Sequence, residues 1–132
     1  MPEYFDQSGE PSGEPGRFVR FDDLDPLNVI EGLEFRPVTT DRVMTNFVTF
    51  EPDAPAPMHH HVEQQIAIVL TGELEFTVGS ETKVMRAGDC VVIPPHVPHG
   101  GTAGPQGCTV IDVFTPPRAG IVSLMAKAGS GP

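Results

Sequence analysis

Apolar residues in this chain come in short runs, and few of them follow a helical spacing. "LEFRPVTT" (Leu33 to Thr40) and "RVMTNFVTFE" (Arg42 to Glu51) are rich in β-branched and aromatic residues and are separated by Thr40-Asp41, which reads as a turn. "EPDAPAP" follows, with prolines at 52, 55 and 57, so it suits neither a central strand nor a helix interior. "QIAIVL", "ELEFTV", "TKVM" and "CVVI" come next, punctuated by Thr71-Gly72, Gly79-Ser80 and "RAGD". "CTVIDVFT" predicts a further strand, and "AGIVSLMAK" alone suits a helix, a short one. Many short strands broken by Gly and Pro turns predict an all-β protein, an antiparallel sandwich or barrel.

Composition adds boundaries to this pattern. A chain of 132 residues suits one domain. The start, "DQSGEPSGEPG", repeats SGEP and offers no core residues. The expected organisation is a flexible N-terminal arm over 1–16, a β-barrel over 17–118 and a short helix with a frayed tail over 119–132. The apolar Phe18, Val19 and Phe21 follow the flexible segment and are expected to add a strand to a neighbouring copy, giving a homodimer. The formal charge of −10 leaves no basic stripe for phosphates, so nucleic-acid binding is not expected. The first ten residues lack the basic and apolar regions of a secretion signal, and no run approaches the ~20 apolar residues of a membrane span. Cys90 and Cys108 form no CxxC pair and read as small buried hydrophobes in a reduced, cytoplasmic setting.

The chemistry gathers in "MHHHVEQQ" (Met58 to Gln65) and "AGDCVVIPPHVPHG" (Ala87 to Gly100). Side chains alternate faces along a strand, so His59 and His61 point one way and His60 the other. Two imidazoles on one face can converge on one ion. Gln65 lies at a further even offset, and a brief turn through Val62-Glu63 lets its amide reach the same point. His99 is presented by a loop stiffened by Pro94, Pro95 and Pro98, whereas His96 sits at the tip of that loop and reads as structural. The expected site is one divalent metal held by His59, His61, Gln65 and His99. Imidazole ligands leave its identity open among Zn, Fe, Ni, Mn and Cu. Downstream, Asp112 and Phe114 share a strand face with Cys108 and Val110, and Arg118 offers a planar fork for a carboxylate. If that face is the lumen, Asp112 can move a proton near the metal; the alternative is a surface Asp112–Arg118 pair. Cys108 has no basic neighbour in sequence and is not expected to be a nucleophile.

These segments resemble the two cupin motifs. In the first, G-x5-H-x-H-x3,4-E-x6-G, His59, His61 and Gly72 match, Gln65 stands at the acidic position, and the leading glycine is replaced by Ala54 or a neighbour. In the second, G-x5-P-x-G-x2-H-x3-N, Gly88, Pro94 and His99 match, while His96 replaces the inner glycine and Thr102 or a neighbour the final Asn. The ending "VIDVFTPPR" (Val110 to Arg118) is similar to that of the small single-domain cupins of pectin and alginate degradation, the KdgF type, which linearise unsaturated monouronates. That resemblance implies a cupin jelly-roll barrel and assigns Asp112 as acid–base residue, Phe114 as a wall against the sugar and Arg118 as holder of the carboxylate. It implies non-redox ring opening or tautomerisation of a small anionic substrate, a lyase or isomerase type of activity. A non-haem iron dioxygenase on the same ligands, and a barrel that only carries or senses a small ligand, are the competing expectations, because one fold hosts many chemistries.

Overall fold

The computed structural model describes residues 3–129. Eight strands follow one another among them: β1 (Leu27–Ile30), β2 (Leu33–Thr39), β3 (Met44–Phe50), β4 (Pro55–His59), β5 (Gln64–Val78), β6 (Glu81–Arg86), β7 (Cys90–Ile93) and β8 (His99–Thr115). One helix, α1 (Ala119–Gly129), closes the described chain. All strand pairs are antiparallel, in the order β1-β2-β3-β8-β5-β6, with β4 on β8 and β7 on β5. The all-β expectation therefore holds, and the one α-helix among the described residues forms where the sequence places it. The expected fraying of the tail falls on 130–132, outside the described residues, while Ala128 and Gly129 belong to α1.

Two long strands tie the barrel together, and the sequence does not announce either at full length. β5 joins "QIAIVL" and "ELEFTV" into one strand of 15 residues, so Thr71-Gly72 is not a turn. The register shifts between Val69 and Thr71 and again between Gly72 and Leu74, so the chain bulges and continues. Gly72 has φ +73, and a Cβ there would collide with the carbonyl oxygen of Gly107. Glycine is thus required for the bend itself. β8 extends backwards from "CTVIDVFT" through 99–107, where glycines and Pro105 hide its strand character. β4 carries Pro55 and Pro57 and pairs only with β8, as befits residues that cannot donate to a second neighbour.

Inward and outward positions alternate strictly on β3, where Met44, Asn46, Val48 and Phe50 are buried and the residues between them are only partly so. Leu33, Val48, Phe50, Val69, Leu74, Phe76 and Val110 belong to the main apolar core. A second cluster of Met44, Phe114 and Ile121 seats α1 on the barrel. Residues 6–20 are exposed and form no regular element. Phe18 is fully exposed, whereas Phe21 stacks on Phe47 of its own chain with ring centres 5.0 Å apart. Among the described residues no helix is long and apolar enough to cross a membrane.

Candidate metal centre

β4 ends on His59 and β8 begins on His99, and the two residues are paired across the ladder. His61 stands just beyond the end of β4, not within it as strand parity assumes, and the chain bends at Val62-Glu63 before β5 starts. The outcome matches the parity argument even so. The rings of His59 and His99 are 4.3 Å apart, those of His61 and His99 5.0 Å, and one ligand atom from each of the three lies within 4.8 Å of the others. His60 points outwards to the exposed His96, with Nδ1 atoms 3.4 Å apart.

Each of the three clustered rings is held by the same device. His59 Nδ1 lies 2.8 Å from the Pro57 carbonyl, His61 Nδ1 2.9 Å from the Glu63 carbonyl and His99 Nδ1 2.9 Å from the Val97 carbonyl. A carbonyl oxygen only accepts, so each Nδ1 carries a proton, and in the neutral ring Nε2 presents a lone pair. Burial lowers the pKa of His99 to about 4, and burial followed by the charge of Arg118 lowers that of His61, so both rings are neutral at pH 7. His99 Nε2 is buried with no hydrogen-bond partner.

Gln65, the second residue of β5, connects this cluster to the barrel wall. Its Nε2 donates to Asp112 Oδ1 at 2.9 Å, and its Oε1 faces His61 Nε2 at 3.1 Å. With Nδ1 of His61 protonated, that second contact brings two lone pairs together with no proton between them. A cation resolves it. The orphaned His99 nitrogen and the facing lone pairs of His61 and Gln65 thus fit a divalent metal, which His59, His61, Gln65 and His99 would hold. Three neutral imidazoles and an amide would leave its charge uncompensated.

Asp112 and Phe114 face the lumen on β8, with Val110 below them. Burial pushes the Asp112 carboxyl up to about 7, against the opposing effect of the Gln65 hydrogen bond. Phe114 is buried against His61, ring centres 5.7 Å apart. Cys108 shares the face but sits in the apolar core, where burial pushes its thiol up to about 11, out of reach as a nucleophile. A cavity of about 340 Å³ is bordered by His59, Gln65, His99, Asp112, Phe114 and Arg118. Most of its remaining wall is apolar, including Leu33, Phe35, Val48, Phe50, Leu74 and Phe76.

Two buried polar residues were not singled out by the sequence. Glu63 is 2% exposed. Its Oε2 accepts from the Ala119 N–H at 2.8 Å, and its Oε1 lies 3.8 Å from Arg118 and 3.5 Å from His61 Nδ1. Burial alone would raise its pKa; the bonds from the Ala119 N–H and its own backbone, with the charge of Arg118, outweigh this and lower it. Glu63 therefore anchors the start of α1 and the Arg118 guanidinium beside the histidines. No sequence spacing announces this, because 55 residues separate it from Arg118. Glu63→Ala leaves an amide and a guanidinium short of a partner and should cost about 1–3 kcal/mol in urea unfolding. An unchanged midpoint would show that the contacts are slack. Asn46 is the other, and its inward parity among Met44, Val48 and Phe50 was the available signal.

The motif-bearing segment, residues 46–114, matches the cupin domain family model, Cupin_2, and the chain belongs to the cupin family. Within it, this is a KdgF-like cupin: over 91 residues it is 30% identical to the pectin degradation protein KdgF of Dickeya dadantii (strain 3937), covering 67% of this chain and 83% of that protein. KdgF from Halomonas sp. superimposes with a TM-score of 0.76 at 30% identity, over 81% of this chain and 99% of that one. An RmlC-like cupin from Shewanella frigidimarina NCIMB 400 superimposes with a TM-score of 0.75 at 29% identity, over 81% and 96%.

Proposed function

We propose that this chain is a metal-dependent enzyme that opens the ring of, or tautomerises, a small carboxylated sugar-like molecule such as an unsaturated uronate, without net redox change. The observation that carries this reading is the continuous contact His61–Gln65–Asp112, which places a carboxyl of raised proton affinity beside the histidine cluster. Similarity to KdgF supports the substrate class. When bound, a divalent ion would supply positive charge that polarises a carbonyl or hydroxyl oxygen. Gln65 occupies Oδ1 of Asp112, so the exchangeable proton resides on Oδ2, and with a pKa of about 7 that oxygen can both give and take it near neutral pH. Arg118 borders the cavity, and Glu63 holds one edge of its guanidinium; the rest of the fork would orient a substrate carboxylate. Phe114 keeps water from one side of the site. Purified protein with its metal should consume an unsaturated monouronate, seen as loss of ultraviolet absorbance and by proton NMR. No change in either would sink the proposal.

The apolar wall favours a second reading, an iron dioxygenase or a ligand carrier for a less polar, aromatic molecule. Oxygen uptake by the iron-loaded protein separates the dioxygenase from the ring opener, and binding without turnover marks the carrier.

We also propose that the protein is a homodimer. Ile66 is 41% and Val92 65% exposed on paired outward positions of β5 and β7, and Phe18 is bare. A second copy would cover them. Sedimentation should give twice the chain mass, reduced on deletion of residues 1–22. An unaltered mass after deletion would remove the arm from the interface.

A further inference from the structure

We propose that Asn46 is a substrate-recognition residue whose carboxamide hydrogen-bonds a neutral hydroxyl of the bound molecule beside Asp112. Asn46 is 0% exposed, borders the cavity, and has neither Nδ2 nor Oδ1 hydrogen-bonded among the described residues. It lies directly opposite Asp112 across β3 and β8, on the lumen face. Its inward neighbours on β3, Met44 and Val48, are apolar. A leucine of similar bulk would serve the fold at that position without burying an unmet amide, which ordinarily costs stability. The amide is therefore placed for something that enters the cavity.

The chemistry of the two unmet atoms restricts that partner. Nδ2 needs an acceptor and Oδ1 needs a donor. A carboxylate brings no donor and would meet the Asp112 carboxyl; an ammonium brings no acceptor. A hydroxyl brings both. The cavity of about 340 Å³ admits a single small ring bearing such a group. Arg118 would take a negative end of the molecule and Asn46 a neutral hydroxyl, so the two residues would together set which isomer fits.

This inference rests on the proposed function only for its natural substrate, and the test separates the two. The full chain as purified, Asn46→Leu and Asn46→Ala are each titrated calorimetrically with cyclohexanecarboxylate and with its ring-hydroxylated isomers. The wild type should bind at least one hydroxylated isomer roughly tenfold more tightly than the parent acid, the size expected of one good hydrogen bond. Both variants should lose that preference and keep their metal, and Asn46→Leu should melt no lower than wild type. With an unsaturated monouronate, Asn46→Leu should raise KM roughly tenfold. If the wild type leaves the uronate untouched while the Asn46-dependent preference is present, the proposed function falls and this inference stands. If the wild type turns over the uronate and Asn46→Leu does so with unchanged KM and kcat, this inference falls and the function stands. A preference that survives in both variants, its absence from the wild type, or failure of all probes to bind overturns the assignment. So does a marked loss of melting temperature in both variants, which would make Asn46 a residue of the fold.

Discussion

Alanine at His61 or at His99 should strip the protein of the proposed divalent metal, and alanine at His60 should leave metal content unchanged. The expected contrast follows from where the three imidazoles point. His61 and His99 are buried with Nε2 lone pairs in the cluster, while His60 faces solvent and His96. Losing even an outer partner of a metal ligand typically costs 10–100-fold in affinity, so losing a ligand should cost at least about a hundredfold. Metal analysis after gel filtration reads the result directly. Equal loss from His60→Ala and His61→Ala would refute the assignment of faces. Acid should act more gently than mutation. His99 takes a proton only near pH 4, so proton competition at this one ligand should become strong only as pH falls towards that value. The same depressed pKa has a cost in the metal-free protein. Its unfolded chain binds protons to this histidine from about pH 6.5 downwards, so the His99 contribution to stability falls between 6.5 and 4.

Asp112→Asn should keep fold and metal and lose turnover. General acid–base groups contribute roughly 10²–10⁴-fold, so kcat/KM for the unsaturated monouronate should fall by that range. A residual activity within a factor of a few of wild type would take the proton-transfer role from Asp112. Stability supplies an independent reading. The Asp112 pKa is about 7 in the folded chain against 3.8 for an unperturbed aspartate carboxyl, so the folded state holds its proton more tightly than the unfolded. Stability from this group is therefore full below about pH 4 and lost as pH rises through 7. The metal-free Asp112→Asn protein carries no such titration. It should melt several degrees above metal-free wild type at pH 8, with the gap closing on acidification. Arg118→Ala should behave differently, raising KM more than it lowers kcat, because a carboxylate contact is felt alike in ground and transition states. Its loss also frees Glu63, so Arg118→Lys, which keeps the charge without the fork, separates the two effects.

Local chemistry accounts for what was legible in the chain. Strand runs such as "MTNFVTF", the helix at 119–129 and the shared face of Asp112 with Phe114 follow from residue type and from alternation, which depend only on near neighbours, whereas His61 joins His59 from beyond the end of β4, where alternation does not apply. The long strands were less legible. Thr71-Gly72 has turn composition, yet it bulges and runs on, because β8 lies alongside and supplies partners on both sides of the bend. The start of β8 is built of glycines that pack closely against β4 and β5, where a side chain would have no room. What only tertiary structure decided was the set of contacts between distant segments: Gln65 on Asp112, Glu63 on Arg118 and Ala119, and Asn46 set opposite Asp112 in an apolar wall. Each joins residues at least 47 positions apart. Which side chains then meet is set by strand register across the closed barrel, and register is a property of the whole sheet, which no single segment encodes.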